Sequence, residues 1–450
     1  MEGSQPVLRR SLGLVQVVLY GVGLILGAGI YVIIGDVSAI SGNAIWISFI
    51  LAAVIASFTG LSYAELVSMF PKSAAEYIYV KHAFGINFVA LFVGCLTIFV
   101  AITSAATVAI GFSGYFSVFF PHLSSILYAV ILIIALSIVN FYGIRESAWT
   151  NSIFTVVEIS GLAIIIIAGF LISSGPEINF FELPATARAS YDSAALAILT
   201  STALIFFAYY GFENISNISE ETRNPTRVIP KGLLISILIT AIIYLLVSIS
   251  SISLVGWKEL SSSEAPLAVV AAKVFGYHGI ILLSVIALFA TTNTVLMMLV
   301  SGSRIIFGMA RDNSIPIIFS MIQKNTRTPW VATFAIMIFV IVAVILSSGN
   351  ISMMASISVF GIFIAFAFVN FSVIWLRFKQ PYLIRTFSSP FKIKKFPILP
   401  GLGLLTTVIM LFQFNMSIAI SACLVMISII ILCILLTITR KSHLRRNTNK

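Results

Sequence analysis

Long apolar segments separated by short polar ones dominate this chain. Each segment is close to the about 20 residues with which an α-helix crosses the hydrocarbon core of a bilayer. The pattern predicts an all-α integral membrane protein with twelve transmembrane helices. The predicted helices lie at residues 12–34, 43–69, 84–112, 124–142, 152–173, 196–216, 231–254, 279–306, 330–347, 352–376, 400–415 and 416–437.

Lysine and arginine are distributed unevenly between the two sides that this pattern defines. If the N-terminus is cytoplasmic, only Arg188, Lys258 and Lys273 of the 26 basic residues fall on the outer side. Cytoplasmic loops of membrane proteins are enriched in lysine and arginine. We therefore expect a multi-pass protein of the cell membrane with both termini in the cytoplasm. The clear alternation also supports the count of twelve, because a wrong count would scramble it.

The composition narrows the classes of function. Hydrophobic residues make up 60% of the chain and charged residues 9%, whereas soluble domains have about 25% charged residues. Since the net charge of +11 is explained by basic cytoplasmic loops, we predict no nucleic-acid partner. The four histidines are scattered and the three cysteines lie in apolar segments, which predicts no metal site. We also predict no cofactor, because no phosphate-binding or dinucleotide motif occurs in a suitable context.

Two predicted helices contain residues that disfavour a helix near the middle of the membrane. The first has four glycines within 21–29, including Gly-Ala-Gly at 27–29, and the sixth is interrupted at Gly211 and Glu213. Backbone that leaves the helix at membrane depth is tolerated only where it is buried in protein or lines a cavity. The alternative for either helix alone is close helix packing through small residues.

The positions of the two interruptions indicate an inverted repeat. They lie five helices apart, and because five is odd the second half enters the membrane from the opposite side. A restarting helix offers free N–H groups that suit a carboxylate, and an ending helix offers free carbonyls that suit an ammonium. The pair therefore predicts a site for a zwitterionic amino acid. The predicted organisation is a cytoplasmic tail (1–11), a first repeat of helices 1–5 (12–173), an inverted second repeat of helices 6–10 (196–376), helices 11–12 (400–437) and a basic cytoplasmic tail (438–450).

Four stretches resemble the amino acid–polyamine–organocation superfamily of permeases, which have the LeuT-type fold. They are Gly-Ala-Gly-Ile-Tyr at 27–31, YAELVSMFPKS and EYIY within 63–79, FAYYGFE and EETRNPTRVIP within 207–230, and SRIIFGMARD with a proline within 303–316. The third stretch is long and specific, whereas the first alone would be a weak match. The remaining helices match only in hydropathy and number.

The resemblance implies two inverted five-helix repeats with two peripheral helices, and it implies where the substrate binds. In the family, backbone N–H groups at the first break hold the carboxylate, which corresponds here to Gly27, Ala28, Gly29 and Ile30. Backbone carbonyls at the second break hold the amine, which corresponds to Phe207, Ala208 and Tyr210, next to Gly211.

The chain departs from the family pattern in two places. Ala74 and Ala75 stand where the family has paired glycines, and Glu158 stands where many members have a lysine in the fifth helix. Carboxylates inside a membrane are rare and usually face the bundle interior or a cavity. We predict that Glu158 is the ion-coupling residue and that the coupled ion is H⁺, with sodium as the alternative ion that a carboxylate there could bind. The alternative is a structural hydrogen bond to a neighbouring helix, and Thr291, Thr292 and Asn293 are its possible polar neighbours.

These observations favour an amino acid permease, that is, a secondary active transporter that works by alternating access and is not an enzyme. Its predicted partners are an amino acid, H⁺ and the lipid bilayer, and its predicted mode is symport. The alternatives are an exchanger of amino acids or amines without ion coupling and a non-transporting membrane sensor. Glu213 would favour cationic substrates if it faced the cavity, whereas apolar neighbours such as Phe206 favour neutral ones.

Charged residues near the cytoplasmic ends of the helices have two interpretations. Glu65 is expected to pair with a basic residue of a loop and not to contact substrate. Glu220, Glu221, Arg223 and Arg227 follow the sixth helix. They form either a solvated loop or a gate made of ion pairs.

Overall fold

The computed structural model describes residues 10, 12–120, 122, 124–142, 144–172, 178–185, 193–323, 326 and 328–448. In that part of the chain the α-helices are α1 Leu14–Ser41, α2 Ile45–Met69, α3 Ala75–Phe84, α4 Asn87–Phe116, α5 Ser125–Tyr142, α6 Ile144–Ile172, α7 Ala194–Tyr209, α8 Pro225–Ser261, α9 Pro266–Arg311, α10 Trp330–Leu346, α11 Ile351–Lys379, α12 Ile398–Leu411 and α13 Met416–Thr448. Three short 3-10 segments occur at Gly42–Ala44, Phe212–Glu221 and Ile317–Ser320. Strands β1 (Lys392–Ile393) and β2 (Phe396–Pro397) form a small antiparallel hairpin.

Many of these helices are suited to a bilayer by length and composition. Eight stretches within the described residues meet that criterion, and α1 and α2 together count as one of them; three shorter apolar helices lie at Ser125–Phe141, Trp330–Leu346 and Ile398–Leu411. The chain is therefore an all-α, multi-pass membrane protein. A helix is present at each of the twelve predicted segments, and α3 is additional. How many helices cross the bilayer, and whether they form two inverted repeats, stay predictions.

Some helices continue beyond the segments that hydropathy identifies. The polar stretch between the seventh and eighth predicted segments is largely helical, because α8 extends to Ser261 and α9 begins at Pro266. Both extensions are bent at glycines with positive φ, Gly256 (φ 70°) and Gly276 (φ 60°), a backbone region in which glycine meets no steric penalty. Helix α13 continues through most of the predicted basic tail. Apart from Arg10, the predicted N-terminal tail 1–11 lies outside the described residues.

Helix α1 lies at the centre of the bundle. It packs against α6, α7, α8 and α9, and Leu26 and Ile30 on it are completely buried. Peripheral helices instead present apolar side chains outward, such as Phe339 on α10 and Leu424 on α13, which are 52% and 61% exposed. Since burial of apolar surface away from water drives folding, these outward faces fit the hydrocarbon of a membrane.

A buried ion cluster joins the end of α2 to the end of α11. The completely buried carboxylate of Glu65 accepts hydrogen bonds from Nε of Arg377 (2.9 Å) and from the backbone N–H of Ser389 (2.9 Å). Nε of Arg385 lies 3.3 Å from the same carboxylate. The expectation that Glu65 pairs with a basic residue is confirmed, although its main partner lies on a helix and not in a loop.

We predict that Glu65→Gln lowers the stability of the fold strongly. Removing one partner of a buried ion pair leaves the other charge uncompensated, which costs about 3–5 kcal/mol. Thermal unfolding in detergent at one fixed scan rate would measure the change. Glu220→Gln is the matched control, because its pair with Arg311 is partly exposed (23% and 43%) and such pairs contribute about 0–1 kcal/mol. Equal melting temperatures for the two variants would contradict the prediction.

Candidate functional site

Helix α1 is interrupted at Gly27. This residue has φ −8° and ψ −134°, outside the helical region, although helix continues on both sides. The surrounding helices approach the break so closely that a side chain would not fit. A Cβ on Gly27 would lie 1.9 Å from Oγ1 of Thr294 on α9, and a Cβ on Gly29 would lie 2.4 Å from Cα of Ala208 on α7. The half-helix that restarts beyond Gly27 begins with N–H groups that have no intrahelical acceptor.

The second interruption follows α7. The helix ends at Tyr209, Tyr210 leaves it with ψ 133°, and Gly211 has φ 129° before the 3-10 segment. The N–H of Gly211 donates to Oε2 of Glu213 (2.9 Å). In a continuing helix this N–H would bond to the carbonyl of Phe207, four residues earlier. The Phe207 carbonyl is thereby left without its helical donor. Both interruptions expected from the glycine pattern are present.

The hydroxyl of Tyr244 on α8 connects the two breaks. It lies within hydrogen-bond distance of the carbonyl oxygens of Ile25, of Leu26 (3.2 Å) and of Ala208 (3.0 Å). Its ring packs on Tyr209 with centroids 5.2 Å apart. Carbonyls at the break in α1 and at the break after α7 therefore lie near the same buried hydroxyl.

A small cavity lies between the two breaks. Its volume is about 10 Å³, roughly the space that one water molecule needs. Four of the residues predicted to bind substrate line it, namely Gly29, Phe207, Ala208 and Tyr210.

Gly27, Ile30 and Gly211 are not among the described residues that line the cavity. Gly27 packs against Thr294, Gly211 lies against the Leu24 carbonyl, and Ile30 is completely buried. The side chain of Ala28 lies outside the described part of the structure. The substrate-binding role of all eight residues stays a prediction.

Helices α4 and α9 contribute lining residues that the sequence interpretation missed. Ser104 and Val108 come from α4, and Thr294 and Met298 come from α9. Hydropathy gives no signal for the apolar pair, because valine and methionine are common in any membrane helix. A hydroxyl within an apolar segment, as at Ser104 and Thr294, is the signal that was available.

Glu158 lies on α6 and is completely buried. Neither carboxylate oxygen has a hydrogen-bond partner among the residues that the structure describes. The predicted neighbours on α9 bond elsewhere: the Thr291 hydroxyl donates to the Ala287 carbonyl, and the Asn293 amide donates to Oδ1 of Asn151. The alternative of a structural hydrogen bond to these residues is therefore not observed.

Ion pairs and backbone contacts close the bundle at the N-terminal end of α1. Glu221 pairs with Arg304 (2.8 Å) and Glu220 with Arg311 (3.2 Å). Leu12 forms a bridge to Thr222, in which its N–H donates to the carbonyl of Glu221 (3.1 Å).

Helix α3 is fastened to this closed end. The N–H of Ala75 donates to Oδ1 of Asn217 (3.0 Å) and that of Ser73 to Glu220 (3.1 Å). Burial raises the pKa of Glu76 on α3 to about 7, and the Tyr63 hydroxyl donates to its carboxyl group (2.9 Å). Glu220 and Glu221 of the charged run thus form ion pairs with α9, and a role of these pairs as a gate stays a prediction.

The other end of α1 borders a wide polar cavity. Its volume is about 570 Å³, and Asp36, Glu264 and Asn350 are among the residues that line it. Val32 and Ile110 also line it, and they follow Gly29 and Val108 of the central cavity by less than one helical turn. In the described part of the chain, ion pairs thus lie on one side of the breaks and a wide polar cavity lies on the other.

Comparison with known proteins identifies relatives along most of the chain. The branched-chain amino acid permease BcaP of Bacillus subtilis is 28% identical over 89% of this chain and 87% of its own length. The methylthioribose transporter of the same organism is 27% identical over 87% of this chain and 86% of its own. The vacuolar cationic amino acid transporter 4 of Arabidopsis thaliana is 29% identical over 83% of this chain and 64% of its own.

The family model described as amino acid permease matches residues 12–439. This match confirms the resemblance seen in the sequence, and it makes the chain a transporter and not an enzyme. Together with the apolar helices, it means that the protein moves a substrate of the amino acid class across a membrane. The chain belongs to the amino acid permease family.

Proposed function

We propose that this protein is a secondary active amino acid transporter that works by alternating access. The observation that carries the proposal is the meeting of two broken helices, α1 and α7, at one enclosed cavity. Paired breaks of this kind are typical of transporters with inverted repeats. In the proposed arrangement twelve helices span the cell membrane, with repeats at 12–173 and 196–376, helices 11–12 at 400–437 and both termini in the cytoplasm.

The two breaks suit the two charged groups of an amino acid. N–H groups of the restarting half of α1 would receive the carboxylate, helped by the positive end of the helix dipole. The Phe207 carbonyl, which has lost its helical donor to Glu213, would accept a hydrogen bond from the ammonium. The Ala208 carbonyl accepts a hydrogen bond from the Tyr244 hydroxyl. This bond would hold the backbone of the site in place when the substrate leaves.

The difference between the two ends of the bundle supports alternating access. The pairs Glu221–Arg304 and Glu220–Arg311 would separate when the closed end opens. The Glu220–Arg311 pair is partly exposed, and ion pairs of that kind contribute little net stability, so its separation requires little free energy. The Glu221–Arg304 pair is nearly buried (9% and 11% exposed), and both of its charges would have to be hydrated as the gate opens.

We further propose that Glu158 carries the coupled proton. A charged side chain at membrane depth costs about 2.5–3.5 kcal/mol on insertion scales, and no partner among the described residues offsets this cost for Glu158. The neutral, protonated carboxyl is therefore favoured in the closed bundle. Access from one side would load the proton and access from the other would release it.

Transport by the purified protein in proteoliposomes tests the proposed function. Saturable uptake of a radiolabelled amino acid, together with counterflow, is expected of a carrier. Uptake that rises linearly with concentration would indicate a channel, and the absence of flux despite binding would indicate a sensor. Efflux of the accumulated label that occurs only when substrate is present outside would indicate exchange and not symport.

Analogues blocked at either charged group are predicted to bind worse than the free amino acid. An amino acid amide or an N-acetyl amino acid would leave one break unpaired, which costs about 1–3 kcal/mol and lowers affinity about 5- to 150-fold. Competition against uptake measures the effect. Equal affinity of free and blocked compounds would contradict the two-break site.

Gly29→Ala is predicted to reduce amino acid affinity at least about tenfold. The added Cβ would meet the backbone of Ala208 at 2.4 Å, and because that atom belongs to the main chain of α7 the two breaks must move apart. Ligand-induced thermal stabilisation of the purified variant measures affinity.

Gly60→Ala is the control for this substitution. Its Cβ would meet only the terminal methyl of Ile237 and a methyl of Leu233, which can rotate away. Wild-type affinity in a folded Gly29→Ala protein would show that the substrate does not bind at this position.

Glu158→Gln is predicted to retain amino acid binding and to lose the dependence of uptake on pH. Wild-type uptake should rise as the external solution becomes more acidic and collapse with a protonophore. The glutamine mimics the protonated carboxyl and cannot release a proton. Glu259→Gln, at an exposed position, is the control and should keep the wild-type profile. An unchanged profile in Glu158→Gln would place coupling elsewhere.

A further inference from the structure

The central cavity has a specific chemical character. Ten residues of the described chain line it, and none of them carries a carboxylate, an amine, a guanidinium or an imidazole. The part of the lining that α4 and α9 contribute consists of Val108 and Met298 with the hydroxyl-bearing residues Ser104 and Thr294; we call these four residues the wall of α4 and α9. A bound amino acid that gives its charged groups to the breaks would have its side chain against this wall.

Glu213 is the acidic residue nearest to the breaks along the chain, yet it does not line the cavity. Its Oε2 accepts the N–H of Gly211 (2.9 Å), and its Oε1 accepts the amide of Asn214 (2.6 Å). Oδ1 of the same Asn214 side chain accepts a hydrogen bond from the Ser301 hydroxyl of α9. The carboxylate is therefore occupied in shaping the turn after α7, and it is only 1% exposed.

We infer that the site selects amino acids with uncharged, aliphatic side chains, and that the wall of α4 and α9 receives the side chain. This inference rests on the proposed function, because it assumes that the two breaks hold the amino and carboxyl groups. A lysine or arginine side chain would have to give up its hydration without meeting an anionic partner. An aliphatic side chain gains about fourfold in affinity for each methylene that it buries.

The wall of α4 and α9 is suited to several aliphatic side chains and not to one particular side chain. The cavity of about 10 Å³ must widen to admit any amino acid. Met298 has three rotatable bonds and a polarisable sulfur, which lets a wall adapt to aliphatic side chains of different branching. The backbone at the breaks has no such freedom, since Gly29 already lies against Ala208.

Norleucine and lysine form the sharpest pair of test ligands, because lysine is norleucine with a terminal ammonium group. Thermal stabilisation of the purified wild-type protein should show norleucine binding at least about 100-fold more tightly than lysine, and norvaline should exceed ornithine likewise. Lysine binding equal to or tighter than norleucine would overturn the inference while leaving the proposed function intact. If no free amino acid binds at all, the proposed function itself fails.

Val108→Asp tests the position of the side-chain wall. Valine and aspartate are similar in size, and the substitution introduces a carboxylate into the lining of the predicted side-chain site. The ratio of norleucine to lysine affinity should fall at least about tenfold. Val108→Thr, similar in size but uncharged, is the control and should keep the wild-type preference. A folded Val108→Asp protein with an unchanged ratio would show that the side chain does not lie against this wall.

Glu213→Gln provides a test that does not depend on the folding of Val108→Asp. If Glu213 only shapes the turn, the ratio of norleucine to lysine affinity should stay within about twofold of wild type, whatever happens to both affinities together. A selective loss of lysine binding would show that Glu213 recognises cationic side chains and would overturn the inference.

Discussion

Carbonyl groups released by a broken helix need a donor, and in this protein the single Tyr244 hydroxyl lies within hydrogen-bond distance of such carbonyls at both breaks. Inside a bilayer no water is available to replace a missing partner, and an unpaired buried polar group costs about 1–3 kcal/mol. The hydroxyl reaches carbonyls on α1 and on α7, and the ring is held by Phe49 and Tyr209. Helix α8 thereby keeps two non-helical stretches side by side. The cavity between the breaks, the close contact between Gly29 and Ala208, and the loss of the helical donor by the Phe207 carbonyl all depend on that arrangement.

The chemistry of the bundle changes from its centre to its ends. The central cavity is lined by uncharged residues, whereas ion pairs flank the N-terminal end of α1. Of these, Glu220–Arg311 is partly exposed, whereas Glu221–Arg304 (9% and 11% exposed) is nearly as buried as Glu65–Arg377 (0% and 8%), which joins α2 to α11. An exposed pair costs little free energy to separate, and a buried pair costs more. In the proposed cycle, Glu220–Arg311 is therefore the pair that separates most easily.

Much of the fold was predictable from the sequence, because apolar length and glycine position are strong local signals. The helices at the twelve segments and the breaks at Gly27 and Gly211 follow directly from them. The helical extensions at Gly256 and Gly276 were missed, since polar helix outside the hydrocarbon has no hydropathy signal. At the site, the backbone contributions could be expected, but Ser104, Val108, Thr294 and Met298 could not, because they meet only through tertiary packing. The orientation of Glu213 depends on two hydrogen bonds that no spacing rule reveals.

The contact between Tyr244 and α1 also has a consequence for biosynthesis. Tyr244 follows Ile25 by 219 positions, and a ribosome adds about 5–20 residues per second. The first helix therefore enters the membrane about 10–40 s before the residue that completes its hydrogen bonding. During that interval α1 must remain a continuous helix or be shielded by other protein, because its released carbonyls would otherwise face lipid. Either the break in the first helix forms late, or other protein covers that break until α8 has been made.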